Sequence, residues 1–154
     1  MMWDVAMRLW LAGNYEEAVK QFLIVLSEEP TNEQAYYYVA SCYDALGQES
    51  EAIAYYEKAI ALGIDDSGAY IGLGSTYRIV GRLEDARNML EKGRERFPEQ
   101  HALPPFLALV YNDLGLHEQA LQLMLKSYVE ASNDQDVKSY RRAILQYAND
   151  LYDE

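Results

Sequence analysis

The sequence predicts an all-α fold of four helical hairpins closed by a terminal helix, and three observations carry that expectation. Glycines stand at Gly13, Gly47, Gly81 and Gly115, each 34 residues after the last. Three further columns keep the same phase: Ala18, Ala52, Ala86 and Ala120 after each glycine, Leu9, Tyr43, Tyr77 and Tyr111 before it, and Phe22, Tyr56, Leu90 and Met124 further on. Within each period, large and small apolar residues recur at three- and four-residue steps on both sides of the glycine, as two amphipathic helices require. The phase sets repeat units at 1–32, 33–66, 67–100 and 101–134 and a closing helix over 135–154, all in a single domain.

Unit one begins inside its first helix. Its apolar run, Trp3 to Gly13, is broken by Asp4 and Arg8. That falls short of the ~18 uninterrupted apolar residues of a membrane span. It also lacks the basic leader and small-residue cleavage site of a signal peptide. A soluble cytoplasmic protein without membrane insertion is expected.

Unit two opens with Thr31 and Gln34 spaced as a capping box. Tyr36, Val39, Ala40 and Tyr43 share one face, and Ala52, Tyr56 and Ala59 follow beyond Gly47. In unit three Asp65, Asp66 and Ser67 are cap candidates for a helix carrying Tyr70, Leu73, Gly74 and Tyr77. Ala86, Leu90 and Gly93 form the second face, which Phe97 and Pro98 stop. In unit four Pro104 and Pro105 fall in the first turn, where proline is tolerated only at a helix start, so that helix is expected to be short. Ser132 and Gln135 suggest a capping box for the last helix. There Val137, Tyr140, Ile144, Tyr147, Ala148 and Leu151 lie at helical spacing, with Lys138, Arg141 and Arg142 on other faces. Its expected role is to cover the last hairpin. The alanine columns let paired helices approach closely, and stacked neighbours complete a core that no single hairpin can close.

Half of the 154 residues are apolar and a quarter charged, which excludes a disordered chain. With 25 acidic against 13 basic residues the net charge is −12, a balance that phosphate backbones repel, so no nucleic-acid partner is expected. Cys42 stands alone, which rules out an internal disulfide framework or a Cys-based zinc site and suits a small packing residue. Neither His101, before a helix, nor His117, in the turn after Gly115, is expected on the binding face or within reach of Cys42. Gly72-Leu73-Gly74 begins like a dinucleotide fingerprint, but Tyr77 stands in place of the third glycine and no strand precedes it. No catalysis, cofactor or metal is expected.

These columns resemble the tetratricopeptide repeat over nearly the whole chain. Unit three matches best, with Tyr70, Leu73, Gly74, Tyr77, Gly81, Ala86, Leu90, Gly93 and Pro98. Unit two follows with Ile64 where the family has proline. The resemblance implies a right-handed α-solenoid of four hairpins plus a C-terminal capping helix, working as a protein–protein interaction module, an adaptor or scaffold. It also implies that the first helices line a concave groove for a partner peptide. Mapped onto this chain, the groove is formed by Trp3, Met7 and Trp10, by Tyr37, Tyr38, Ser41 and Asp44, by Ile71, Ser75 and Arg78, and by Phe106, Leu109 and Asn112. Family members that clamp a chaperone tail use basic and amide side chains at positions held here by Trp3, Met7, Tyr38, Gly68 and Gly72, which cannot bind a carboxylate in that way.

The expected ligand is therefore a peptide with apolar anchors, and Gly72 is expected to open a pocket for one of them. Two alternatives stand beside this reading. One is a secretion-type or holdase-like small chaperone, since the chain is similar to the translocator chaperones of bacterial secretion systems. The other is a homodimer formed through an uncapped N-terminal hairpin with exposed tryptophans, its groove occluded. Residues 1–66 carry 12 acids and 3 bases, whereas 67–100 carry 5 and 6. The cluster Arg82, Arg87, Lys92, Arg94 and Arg96 reads as a solvated face with pairs such as Arg87 with Glu91, or else as a docking patch for an acidic partner.

Overall fold

The computed structural model describes residues 2–152, and among these it holds nine α-helices and no strand. They are α1 (Met2–Leu11), α2 (Tyr15–Glu28), α3 (Glu33–Ala45), α4 (Glu49–Ala61), α5 (Ser67–Ile79), α6 (Leu83–Arg96), α7 (Leu103–Asp113), α8 (His117–Ala131) and α9 (Gln135–Leu151). The chain forms two compact units that divide between Arg82 and Leu83, inside the third repeat period.

The periodic glycines end the first helix of each hairpin. Gly47 shows why glycine is needed: its φ is 75°, in the left-handed region that side chains with a Cβ avoid. Its N–H donates to the Asp44 carbonyl at 3.0 Å, and the Gln48 N–H donates to the Tyr43 carbonyl at 2.8 Å. Together these bonds close the last turn of α3.

The starts of two helices differ from the sequence expectation. Asn32, not Thr31, caps α3, its Oδ1 accepting from the Ala35 N–H at 3.0 Å while its Nδ2 donates to Glu29. For α9 the cap is Asp134, which accepts from the N–H groups of Asp136 and Val137, whereas Ser132 ends α8. In both cases the amide or carboxylate nearest the first turn supplies the acceptor that orphan helix N–H groups need. Asp66 caps α5 as the sequence suggests. The prolines of α7 stand at its start, and the helix has 11 residues against 13 in α3 and α5.

In the first unit, α1 packs on α2, α2 on α3, α3 on α4 and α4 on α5. Its core joins Ala6, Ala18, Phe22, Val39 and Cys42, with Trp3, Trp10 and Tyr38 packed against them. Ala18 and Ala52 are fully buried, as close helix approach demands. Ile64, in the proline position of the repeat, is also fully buried, beside Ala59 and Ala69. Burial pushes the Cys42 thiol up to about 11, so it remains a protonated packing group at neutral pH.

In the second unit, α6 packs on α7, α7 on α8 and α8 on α9. Leu90, Leu103, Leu107 and Val110 are fully buried there. The Tyr111 hydroxyl donates to Glu91 Oε1 at 2.7 Å, and Arg87 Nε donates to the same oxygen at 3.1 Å. The buried Gln122 amide donates to the carbonyls of Ala148 and Tyr152, fixing the end of α9. The terminal helix meets α8 along one edge only: Ala148 is buried, but Tyr140 and Tyr147 are 67% and 70% exposed. Helical spacing gives the apolar arc of α9 and leaves open which part of that arc is covered.

Candidate functional site

On the first unit, Trp3, Met7 and Trp10 stand on α1, Tyr37, Tyr38 and Ser41 on α3, and Ile71, Ser75 and Arg78 on α5, all partly buried. The structure binds the first two groups into one aromatic wall. Tyr38 is its hub: Trp3 meets it edge-on at 5.7 Å, Trp10 at 5.1 Å and Tyr37 at 5.1 Å, and Phe22 stacks beneath it at 5.3 Å. Such contacts each contribute about 0.5–1.5 kcal/mol beyond area burial and hold the rings in fixed orientations. Trp10 Nε1 also donates to Ser41 Oγ at 3.0 Å, which pins α1 to α3. The tryptophans are thus half-buried parts of the wall, not the exposed residues expected at a bare hairpin end.

The expected pocket at Gly72 is filled. The ring of Tyr56, from α4, lies against it so closely that a Cβ added to Gly72 would stand 2.5 Å from Tyr56 Cζ. Gly68 receives Tyr37 in the same way, with a Cβ there 2.5 Å from the Tyr37 hydroxyl. Both glycines make room for the protein's own tyrosines. From its place over Gly72, Tyr56 donates to Asp44 Oδ2 at 3.4 Å. Sequence reasoning assigned Tyr56 to the core by its column and missed this polar reach.

Burial pushes the Tyr37 phenol up to about 12, with the Asp66 carboxylate adding to the shift, and raises Tyr56 and Tyr38 for the same first reason. A raised phenol keeps its proton longer in the folded state than in the unfolded one. Stability is therefore intact below the ordinary tyrosine value of 10.0 and is lost as pH climbs toward 12 and beyond. The urea midpoint is expected to fall across that alkaline range, and to fall less steeply in Tyr37→Phe. An unchanged slope in that variant would remove Tyr37 as a source.

In the second unit, Phe106, Leu109 and Asn112 lie on the exposed side of α7. Pro105, Ala108, Leu109, Ala120, Leu121 and Met124 line an open, mainly apolar depression of about 450 Å³ between α7 and α8. His117, at the start of α8, borders it and places Nδ1 2.7 Å from Asn112 Oδ1. The structure thus brings this histidine beside Asn112, one of the residues that the sequence maps to the groove. Only the i, i+5 closeness of the two residues across the Gly115 turn signalled it.

The basic cluster engages its neighbours locally. Arg87 bonds Glu91, as the i, i+4 spacing suggests, and stacks over Tyr111, while Arg82 stacks over Tyr77 at 4.4 Å. Among the described residues, no group of three or more His, Cys, Asp or Glu side chains is placed to hold a metal ion. None of the helices described is long and apolar enough to cross a membrane.

Helical hairpins of one period, joined through glycine turns and presenting an aromatic wall, define a helical-repeat protein of the kind that serves as a protein-interaction module. The tetratrico peptide repeat model matches residues 33–151, and the chain belongs to that family. An Hsp70-Hsp90 organising protein of Plasmodium falciparum is 28% identical over 139 residues, spanning 90% of this chain and 54% of the relative. The chain spans about half or less of the curated relatives it matches. Among solved structures, MamA 41-end from Desulfovibrio magneticus RS-1 shares the fold with a TM-score of 0.79 at 24% identity, over 87% of this chain and 76% of that one. The first TPR of Spaghetti bound to the HSP90 peptide SRMEEVD does so with a TM-score of 0.71 at 22% identity, over 74% of this chain and 90% of that one.

Proposed function

We propose that the chain is an adaptor that binds a partner peptide with apolar anchors on the α1, α3 and α5 face of its first unit. One observation carries the reading: the wall of Trp3, Trp10, Tyr37 and Tyr38 is locked by ring contacts and the Trp10–Ser41 hydrogen bond, yet each ring stays partly open. A rigid aromatic surface offers large contact area at little ordering cost, which is what tight peptide binding requires. Acidic tails such as the peptide bound by Spaghetti are disfavoured here, because the surface carries Asp44 and Asp66 and no basic residue at the places Trp3, Met7, Tyr38, Gly68 and Gly72.

The test is selection from a displayed library of random linear peptides, with wild type and a Tyr37→Asp/Ile71→Asp variant as bait. Wild type is expected to return peptides with large apolar side chains, and the variant to lose them by about 100-fold, the loss of a two-residue hot spot. Circular dichroism and light scattering check that the variant keeps its helicity and assembly state. Equal binding by both baits would contradict the proposed face, and a stable wild-type dimer that binds no peptide would favour self-association.

A further inference from the structure

We propose that Asp44 is the specificity-determining residue of this face and receives a lysine or arginine side chain of the bound peptide. The inference rests on the peptide-binding reading above. It starts from the donor supply around the Asp44 carboxylate. An ionised carboxylate can accept about four hydrogen bonds. Tyr56 reaches it at 3.4 Å, a long bond, and the Thr76 hydroxyl lies beside it. Thr76 has one hydroxyl proton, and that proton is directed to the Gly72 carbonyl at 2.7 Å. The carboxylate is half-buried with acceptor capacity left over.

Its position also disfavours an isolated negative charge. Asp44 stands in the last turn of α3, where the helix presents its carbonyl end, and that turn has no basic residue. Burial and Glu49 both raise its pKa, against the hydrogen bond from Tyr56. An arriving cation relieves every one of these costs together.

The surroundings select a cation too. Asp44 lies one turn beyond Ser41 on the same side of α3, and Ser41 holds the edge of Trp10. Aromatic rings and carboxylates each attract ammonium and guanidinium groups, so the wall and Asp44 favour the same charge. The charge of −12, with 12 acids against 3 bases in residues 1–66, draws a basic segment toward this unit.

The experiment uses the same displayed library. Wild type is expected to enrich peptides that combine apolar anchors with one Lys or Arg. A synthesised copy of an enriched peptide is expected to bind Asp44→Asn about 10-fold more weakly, the size of one charge-assisted hydrogen bond. Replacing its basic residue with methionine should weaken binding to wild type by as much and to Asp44→Asn hardly at all. Asp44→Lys should shift the selected set toward Asp and Glu. Asparagine keeps the shape of Asp44 and its bond from Tyr56, and circular dichroism confirms the fold. Peptides sensitive to Tyr37→Asp but without a basic residue, or indifferent to Asp44→Asn, would overturn the role of Asp44 and leave the peptide-binding face standing. No selected peptide at all would overturn both.

Discussion

Gly72→Leu is expected to destabilise the first unit by about 3 kcal/mol, the upper part of the range for overpacking a filled interior. Leucine gains helix propensity over glycine, but only by about 0.8 kcal/mol. Against that gain stands the Tyr56 ring, with its Cζ, hydroxyl oxygen and Cε1 at 2.5, 2.6 and 2.7 Å from the place a Cβ must take. Tyr56 is only 3% exposed, and its hydroxyl is tied to Asp44, so the ring has no easy exit. The mechanism is checked by a double-mutant cycle in urea. Tyr56→Ala alone also costs about 3 kcal/mol, as aromatic truncations do. In the double variant leucine occupies the vacated space, so the combined loss should fall short of the sum by more than about 1 kcal/mol, within the range of directly touching pairs. Strict additivity would show that the ring is not what excludes a side chain at Gly72.

Phe22→Ala is expected to cost still more, about 3–5 kcal/mol. Phe22 is fully buried, stacked on Tyr38 with planes 12° apart and met edge-on by Trp3 at 5.4 Å. Truncation opens a cavity directly beneath the aromatic wall, so stability and binding are linked. Peptide affinity should fall even in conditions where the variant is still folded, because Tyr38 and Trp3 lose the surface that orients them. Phe22→Leu refills most of the volume and is expected to cost less than half as much. Equal losses for the two variants would mean that the site collapses freely and that Phe22 does not support the wall.

The repeat was legible because its strongest marks are local. Gly13, Gly47, Gly81 and Gly115 are needed for backbone reasons that no partner residue alters, and Ala18, Ala52 and Ala86 for close approach within a hairpin. Cap choice was less legible, since Thr31 and Asn32, or Ser132 and Asp134, compete within one or two residues and the winner depends on where the first turn closes. That these side chains lie near one another was legible by residue: α1 and α3 bring Trp3, Trp10, Tyr37, Tyr38 and Ser41 together. Their interlocking was not, because a ring's neighbour across a helix pair depends on packing distance as well as periodicity. Gly72 is the clearest instance. In sequence it is an absent side chain and suggests space, but in the fold it is half of a fitted pair whose other half, Tyr56, belongs to a column of core residues. The open tyrosine edge of α9 has the same origin, an apolar arc wider than the contact it makes.

The aromatic wall carries its own reporter. The chain has two tryptophans, and both, Trp3 and Trp10, belong to that wall. Tryptophan emission followed while a library-selected peptide is titrated therefore reads this face and no other part of the chain. Binding is expected to shift the emission with the same midpoint as an independent affinity measurement, and Trp10→Phe to remove much of the change. A peptide that binds with full affinity while the emission of both tryptophans stays unaltered would contradict the assignment of the α1 and α3 wall as the binding face.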